Sequence, residues 1–328
     1  MHSDSRAAAG ADRLRGVYNI VPTPFADDGS LDEHSLGRLI DFVIAAGVDG
    51  VTILGVLGEA GKVSEAERTR VIEVTLEAAA GRIPVCVGTT HAATDRCIAY
   101  SREAEALGAA AVMVSPPALP RTNEPAMRRH YLAVAEAIGL PVVVQDFPPA
   151  SGVHMTPALV GSLAGDHERL RWLKLEDEPT APKTSAVLAV NPAIRIFGGL
   201  GGLFMLEELR RGAVGTMTGF GFPEVLVEIQ RRHDAGDLEG ATTVFHHYLP
   251  LIRFENQQGI NLALRKHVYR LRGAIASARA RAPFSPLDET TPRELDELLE
   301  RLGLTATMTR PGTLPAIPGL APRPDRAP

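Results

Sequence analysis

The chain has 328 residues, 45% of them apolar and 22% charged, the balance of a globular protein and not of a disordered, fibrous or membrane-embedded one. Its net charge is -5 and its basic residues are scattered, so the electrostatic footprint of a nucleic-acid binder is missing and an anionic ligand has to be met by local groups. The two cysteines, Cys86 and Cys97, offer neither a disulfide framework nor metal-ligand spacing and read as buried thiols of a reducing compartment.

The opening segment, Met1 to Arg15, has no apolar core of the kind a signal peptide carries, and no later apolar run is long enough to cross a bilayer. It is expected to be a disordered lead-in (1–15) to a cytoplasmic protein. From Gly16 to Phe222 one unit recurs: a short β-branched or apolar run, a polar or glycine-rich turn, and a segment with helical spacing. The strand runs are Val17 to Val21, Gly50 to Leu54, Ile83 to Val87, Ala111 to Ser115, Pro141 to Gln145, Leu170 to Lys174, Ile194 to Phe197 and Ala213 to Met217. Between them Ser64 followed by Glu67 resembles a capping box, Thr94 precedes another periodic run, and Gly47 and Gly108 stand where a helix should stop.

Near-uniform βα units favour a closed (β/α)8 TIM barrel over an open sheet, because closure removes both exposed edges. The first turn reads Pro22-Thr23-Pro24-Phe25, so the glycine fingerprint of a dinucleotide-binding sheet is absent there. The barrel is assigned to 16–225. Helical stretches at Leu238 to Leu251, Gln257 to Leu271 and Thr291 to Leu302 form a C-terminal extension (226–307) of the same domain, and 308–328, rich in proline, arginine and small residues, reads as a disordered tail.

In such barrels the chemistry sits where the strands end. Lys174 closes the apolar run Leu170-Arg171-Trp172-Leu173; a cation there faces the mouth with its stem among apolar groups, and desolvation lowers its pKa toward the neutral amine that attacks a carbonyl. A lysine that snorkels into solvent or pairs with Glu176 is the commoner fate of such a residue. The turn Gly55-Val56-Leu57-Gly58-Glu59 can converge backbone N–H groups on an anion, although glycines also serve any tight connection. His91 and Glu176 are candidates for acid and base work, against the plainer roles of a hydrogen-bonded loop histidine and an ion partner for Lys174. No histidine and carboxylate cluster has metal spacing: His246 and His247 are neighbours whose side chains diverge, so no metal is expected.

These strings together resemble the dihydrodipicolinate synthase and N-acetylneuraminate lyase superfamily from about Gly16 to Leu302. The parts that match are Val21-Pro22-Thr23-Pro24-Phe25, the Gly55 to Glu59 turn in the place of the family's Gly-Thr-Thr-Gly-Glu, Lys174 in the place of its imine-forming lysine, and Gly212-Ala213-Val214-Gly215 before the last strand. The resemblance implies a barrel with C-terminal helices assembled as a homo-oligomer, tetramer or dimer. It also implies a small-molecule 2-keto acid substrate such as pyruvate, an imine on Lys174, and no cofactor. The family's carboxylate-binding positions fall on Leu57 and Met217, where backbone contacts can survive but hydroxyl contacts cannot; Val56, Gly58, Gln145 and Thr218 complete the expected substrate-binding set.

Two departures stand out. Gln145, in Gln145-Asp146-Phe147-Pro148, replaces the family's tyrosine, and a carboxamide can orient a substrate but cannot relay a proton. Val56-Leu57 replaces the threonine pair. Gln145-Asp146 with Pro149-Ala150-Ser151-Gly152, His91, the Lys174-Leu175-Glu176 order, Met217 to Pro223, and Leu249-Pro250-Leu251-Ile252 with Glu255-Asn256 are similar to one branch, the 2-keto-3-deoxy-L-arabonate dehydratases. The expectation is therefore dehydration of a 2-keto-3-deoxy sugar acid, with Lys174 forming the imine, Glu176 first and His91 second as proton carriers, and Gln145 orienting the substrate. The alternatives are a retro-aldol reaction releasing pyruvate, including dihydrodipicolinate synthase-like activity, and a keto-acid-binding protein without turnover.

Overall fold

Valine, isoleucine and other apolar residues occupy both faces of most strands, and every strand is almost wholly buried, which suits parallel strands covered inside and outside. The computed structural model describes residues 14–118 and 123–321. The strands are β1 (Gly16–Ile20), β2 (Gly50–Ile53), β3 (Val85–Gly88), β4 (Ala111–Val114), β5 (Val142–Asp146), β6 (Trp172–Leu175), β7 (Arg195–Gly198) and β8 (Gly215–Thr218), in one closed barrel in chain order. Parallel pairing of β1 with β8 closes it, with Tyr18 opposite Met217. The observed ends lie within about two residues of those expected from the sequence.

Each strand is followed by a helix: α1 (Glu33–Ala45), α2 (Glu65–Ala79), α3 (Thr94–Leu107), α4 (Glu124–Ala137), α5 (Pro157–Asp166), α6 (Thr180–Val190), α7 (Met205–Arg210) and α8 (Pro223–Asp234). The capping box of α2 is formed, Ser64 accepting from the Glu67 N–H while the Glu67 carboxylate accepts from the Ser64 N–H. Three further helices, α9 (Leu238–Glu255), α10 (Asn261–Leu271) and α11 (Thr291–Arg301), make the C-terminal extension.

The two-residue period of a strand sorts its side chains between two cores. On β6, Leu173 and Leu175 join the large apolar layer under the helices, whereas Trp172 belongs to the barrel interior with Leu14, Tyr18, Ile20, Cys86, Ala111, Met113, Val143, Phe197 and Met217. Lys174 is therefore on the inward face, one period above Trp172 toward the mouth. The β5–β6 register sets Gln145 beside Lys174, as it sets Val143 beside Trp172.

Three boundaries differ from the sequence reading. The eighth barrel helix runs past residue 225 to Asp234 because Val225, Leu226 and Ile229 are buried against the barrel. Leu14 is wholly buried in the barrel floor and so does not belong to a disordered lead-in; residues 1–13 lie outside the described residues. The segment from Met308 to Ala321 has more to bury than its composition suggested: Met308, Leu314, Ile317 and Leu320 pack against the core, and the carbonyls of Met308 and Ala321 accept from Arg272 and Arg232. Residues 322–328 lie outside the described residues.

Candidate active site

A cavity of about 190 Å³ opens at the C-terminal ends of the strands. Lys174 and Glu176 line it from β6 and the residues after it, Gln145 from β5, Thr218 from β8, and Val56 and Leu57 from the turn after β2. Lys174 is only 4% exposed, and its Nζ lies 2.8 Å from Glu176 Oε2. The same carboxylate oxygen accepts from Gln145 Nε2 at 2.8 Å. Gln145 Oε1 in turn accepts from Ser115 Oγ at 2.9 Å, and the Ser115 N–H donates to Thr90 Oγ1. One carboxylate thus bridges the amine and the carboxamide, and the carboxamide is fixed by a hydroxyl on its far side.

Glycines make room for that carboxylate. A Cβ at Gly199 would lie 2.4 Å from Glu176 Cγ, and one at Gly198 would lie 1.8 Å from Glu208 Oε2, so the end of β7 is bare where two acids approach. Glu176 Oε1 is also approached by the Leu200 N–H, at 3.5 Å. Glu208, buried behind the mouth, is pushed up to about 7 by burial. Cys86, in the barrel interior, is pushed up to about 12 for the same reason, the protonated state of an inert thiol at neutral pH.

The remaining expected residues separate into two groups. Val56, 54% exposed, stands at the rim; Leu57 reaches further in; Thr218 is buried and accepts from the Gly201 N–H at 2.7 Å. Gly58 shapes the turn, since a Cβ there would meet Leu54 N at 2.8 Å. The Glu59 and Ala60 N–H groups close that turn on the Val56 and Gly55 carbonyls, so these two amides do not face the cavity. Met217 lies in the barrel interior and is absent from the cavity wall. His91 is not brought to the site either: its Nδ1 accepts from the Ala93 N–H at 3.0 Å and its ring meets Tyr100 edge-on, the loop role that was its alternative.

Sequence reading missed the wall supplied by the C-terminal extension. Asn256, Gln258, Asn261 and Arg265 line the cavity from the end of α9, the connection after it, and α10. Arg265 was detectable in principle: it shares a helix face with Val268 and Tyr269, three and four residues on, and a charge on an apolar face requires a partner. Among the described residues no grouping of three or more His, Cys, Asp or Glu could hold a metal ion, and no helix is long and apolar enough to cross a membrane.

Comparison with known proteins places this geometry. Residues 13–302 match the model of the dihydrodipicolinate synthetase family. The L-2-keto-3-deoxyarabonate dehydratase of Azospirillum brasilense is 37% identical over 88% of this chain and 95% of its own length, and the 4-hydroxy-tetrahydrodipicolinate synthase of Acidiphilium cryptum is 33% identical over 89% and 100%. Among solved structures, a dihydrodipicolinate synthase from Rhodopseudomonas palustris superposes with a TM-score of 0.82 at 37% identity, covering 88% of this chain and 98% of that one. A prophage protein of E. coli K12 from the dihydrodipicolinic acid synthase family, solved in complex with pyruvate, superposes at 0.83 with 28% identity, covering 89% and 99%.

Proposed function

The chain belongs to the dihydrodipicolinate synthetase family of lyases, and from that premise we propose that it removes water from a 2-keto-3-deoxy sugar acid through an imine on Lys174. The observation that carries the reading is the buried Lys174–Glu176–Gln145 cluster, in which the carboxylate is 2.8 Å from the amine. A pyruvate complex of one relative and the dehydratase activity named for another support the substrate class and the reaction.

In the proposed sequence Glu176 takes the ammonium proton, and the free amine of Lys174 attacks the C2 carbonyl of the substrate. The carbinolamine loses its oxygen as water, which leaves an iminium that draws electrons from C3. Glu176, once its proton has passed to solvent, removes a proton from C3, and the resulting enamine pushes out the C4 hydroxyl, protonated as it leaves, as a second water. Hydrolysis of the imine returns one water and frees Lys174, so the net change is loss of one water with every carbon retained. Gln145 holds the carboxylate oxygen that faces the amine and does not itself titrate.

The test is borohydride reduction with pyruvate followed by peptide mass spectrometry, and product analysis with 2-keto-3-deoxy sugar acids. An adduct on Lys174 and an unsaturated or dicarbonyl acid of unchanged carbon number are expected. Pyruvate plus an aldehyde would replace the dehydratase by an aldolase, and ligand binding with neither adduct nor turnover would leave a keto-acid-binding protein. Assembly as a homo-oligomer belongs to the same proposal and is read by light scattering.

A further inference from the structure

Helix α10 and the residue that caps its C-terminus carry three buried cations, Arg265, Lys266 and Arg272, and their partners differ. Lys266 is matched by the Glu59 carboxylate and the Arg279 carbonyl. Arg272 is matched by both oxygens of Glu224 and by the Gly221 carbonyl. Arg265, equally buried, has the Asn256 Oδ1 at 3.3 Å, and its Nε has no hydrogen-bond partner. No carboxylate among the described residues stands within ion-pair distance of it. Glu255 is its main counter-charge but acts from farther off, with one oxygen spent on the Gly221 N–H.

A buried guanidinium with a donor left unmatched and no carboxylate in contact is strongly disfavoured unless something else satisfies it. Arg265 lines the same cavity as Lys174, and its stem runs beside Leu57 and Gly219, between the turn after β2 and the end of β8. The other charged groups on the wall, Lys174 and Glu176, satisfy each other. Among the described residues the cavity wall therefore carries one positive charge in excess, presented as a planar fork of donors.

We propose that Arg265 is the carboxylate anchor of this site, holding C1 of the keto acid while Lys174 reacts at C2. The inference rests on the reading that the cavity takes a 2-keto acid. It assigns to a C-terminal helix the anion recognition that Val56 and Leu57 have no side-chain donors to perform.

The experiment compares borohydride trapping of pyruvate and of hydroxyacetone, a ketone with no carboxylate, by the full chain and by Arg265→Met and Arg265→Lys. In Arg265→Met the pyruvate concentration for half-maximal trapping is expected to rise about 100-fold, with hydroxyacetone unchanged and Arg265→Lys intermediate. Equal trapping of pyruvate by the parent and Arg265→Met overturns the assignment while leaving the imine reading intact, and so does a loss that affects both ketones alike, which marks a structural role. A loss confined to longer dicarboxylic keto acids, with pyruvate unaffected, also overturns it. Should the parent chain form no adduct, the imine reading fails, and equilibrium dialysis of labelled pyruvate then decides: weaker binding by Arg265→Met upholds the anchor and equal binding refutes it.

Discussion

Two buried lysine–glutamate pairs stand at the same end of the barrel, and only one of them belongs to a candidate active site. Lys174 pairs with Glu176 on the wall of a cavity, and the carboxylate is shared with a carboxamide. Lys266 pairs with Glu59 where both side chains are wholly buried. There the carboxylate also takes Lys62 and the Arg281 N–H, and the ammonium also takes the Arg279 carbonyl and the face of Phe25. Burial pushes Lys266 down to about 8. Its donors are spent, however, and the pair lies outside the cavity. Burial and ion pairing are thus common to structural and reactive lysines; what distinguishes Lys174 is space for a carbonyl carbon beside the amine.

The comparison breaks most decisively at Lys174. Lys174→Met is expected to lower turnover by at least about 10⁴-fold while leaving the urea midpoint nearly unchanged, because Glu176 keeps Gln145 and can take up a proton. Glu176→Gln should cost about 10³-fold in kcat, with the borohydride adduct still forming at raised pH, since the amine survives and the proton carrier does not. Lys266→Met should do the opposite. Loss of about 3 kcal/mol in denaturant titration is expected from breaking a wholly buried pair, since Glu59 Oε1 loses its partner although Oε2 keeps Lys62 and the Arg281 N–H, with imine trapping retained by the folded protein.

Glu208 sharpens the contrast from the side of an acid with no cation within ion-pair distance among the described residues. Its folded-state pKa is raised from 4.5 to about 7, so the folded chain binds its proton more tightly than the unfolded chain does. The stability associated with this group is complete below about pH 4.5, declines as pH rises through 7, and is constant above. Glu208→Gln should therefore be more stable than the parent at pH 8 by about 2 kcal/mol, the gap closing at pH 4.5, as read from paired thermal melts.

The repeating βα units were legible because each strand is a short apolar run punctuated by glycine or polar turns, and closure follows from their number and uniformity. Lys174, Glu176 and Gln145 were legible as strand-end residues, and register brings the first and last of them together. His91 misled because position after a strand does not fix direction: the ring folds back on its own turn to accept from the Ala93 N–H. Asn256 and Arg265 were invisible to a search of strand ends because they come from helices that follow the last strand and return over the mouth. The packing of Met308 to Ala321 was missed because a few apolar residues spaced among prolines give no periodic signal, although a surface groove can still bury them one by one.

Leu14 closes the barrel from below, with Tyr18, Trp172 and Phe197 stacked above it. Among the described residues the barrel interior is thus packed with side chains below the mouth. With the barrel axis below Lys174 filled in this way, the substrate, the water expelled in the proposed reaction and a reductant used to test for the imine are all expected to approach from the cavity side, where Val56 stands at the rim. A product still held in a cavity of about 190 Å³ therefore occupies the space that the next substrate needs.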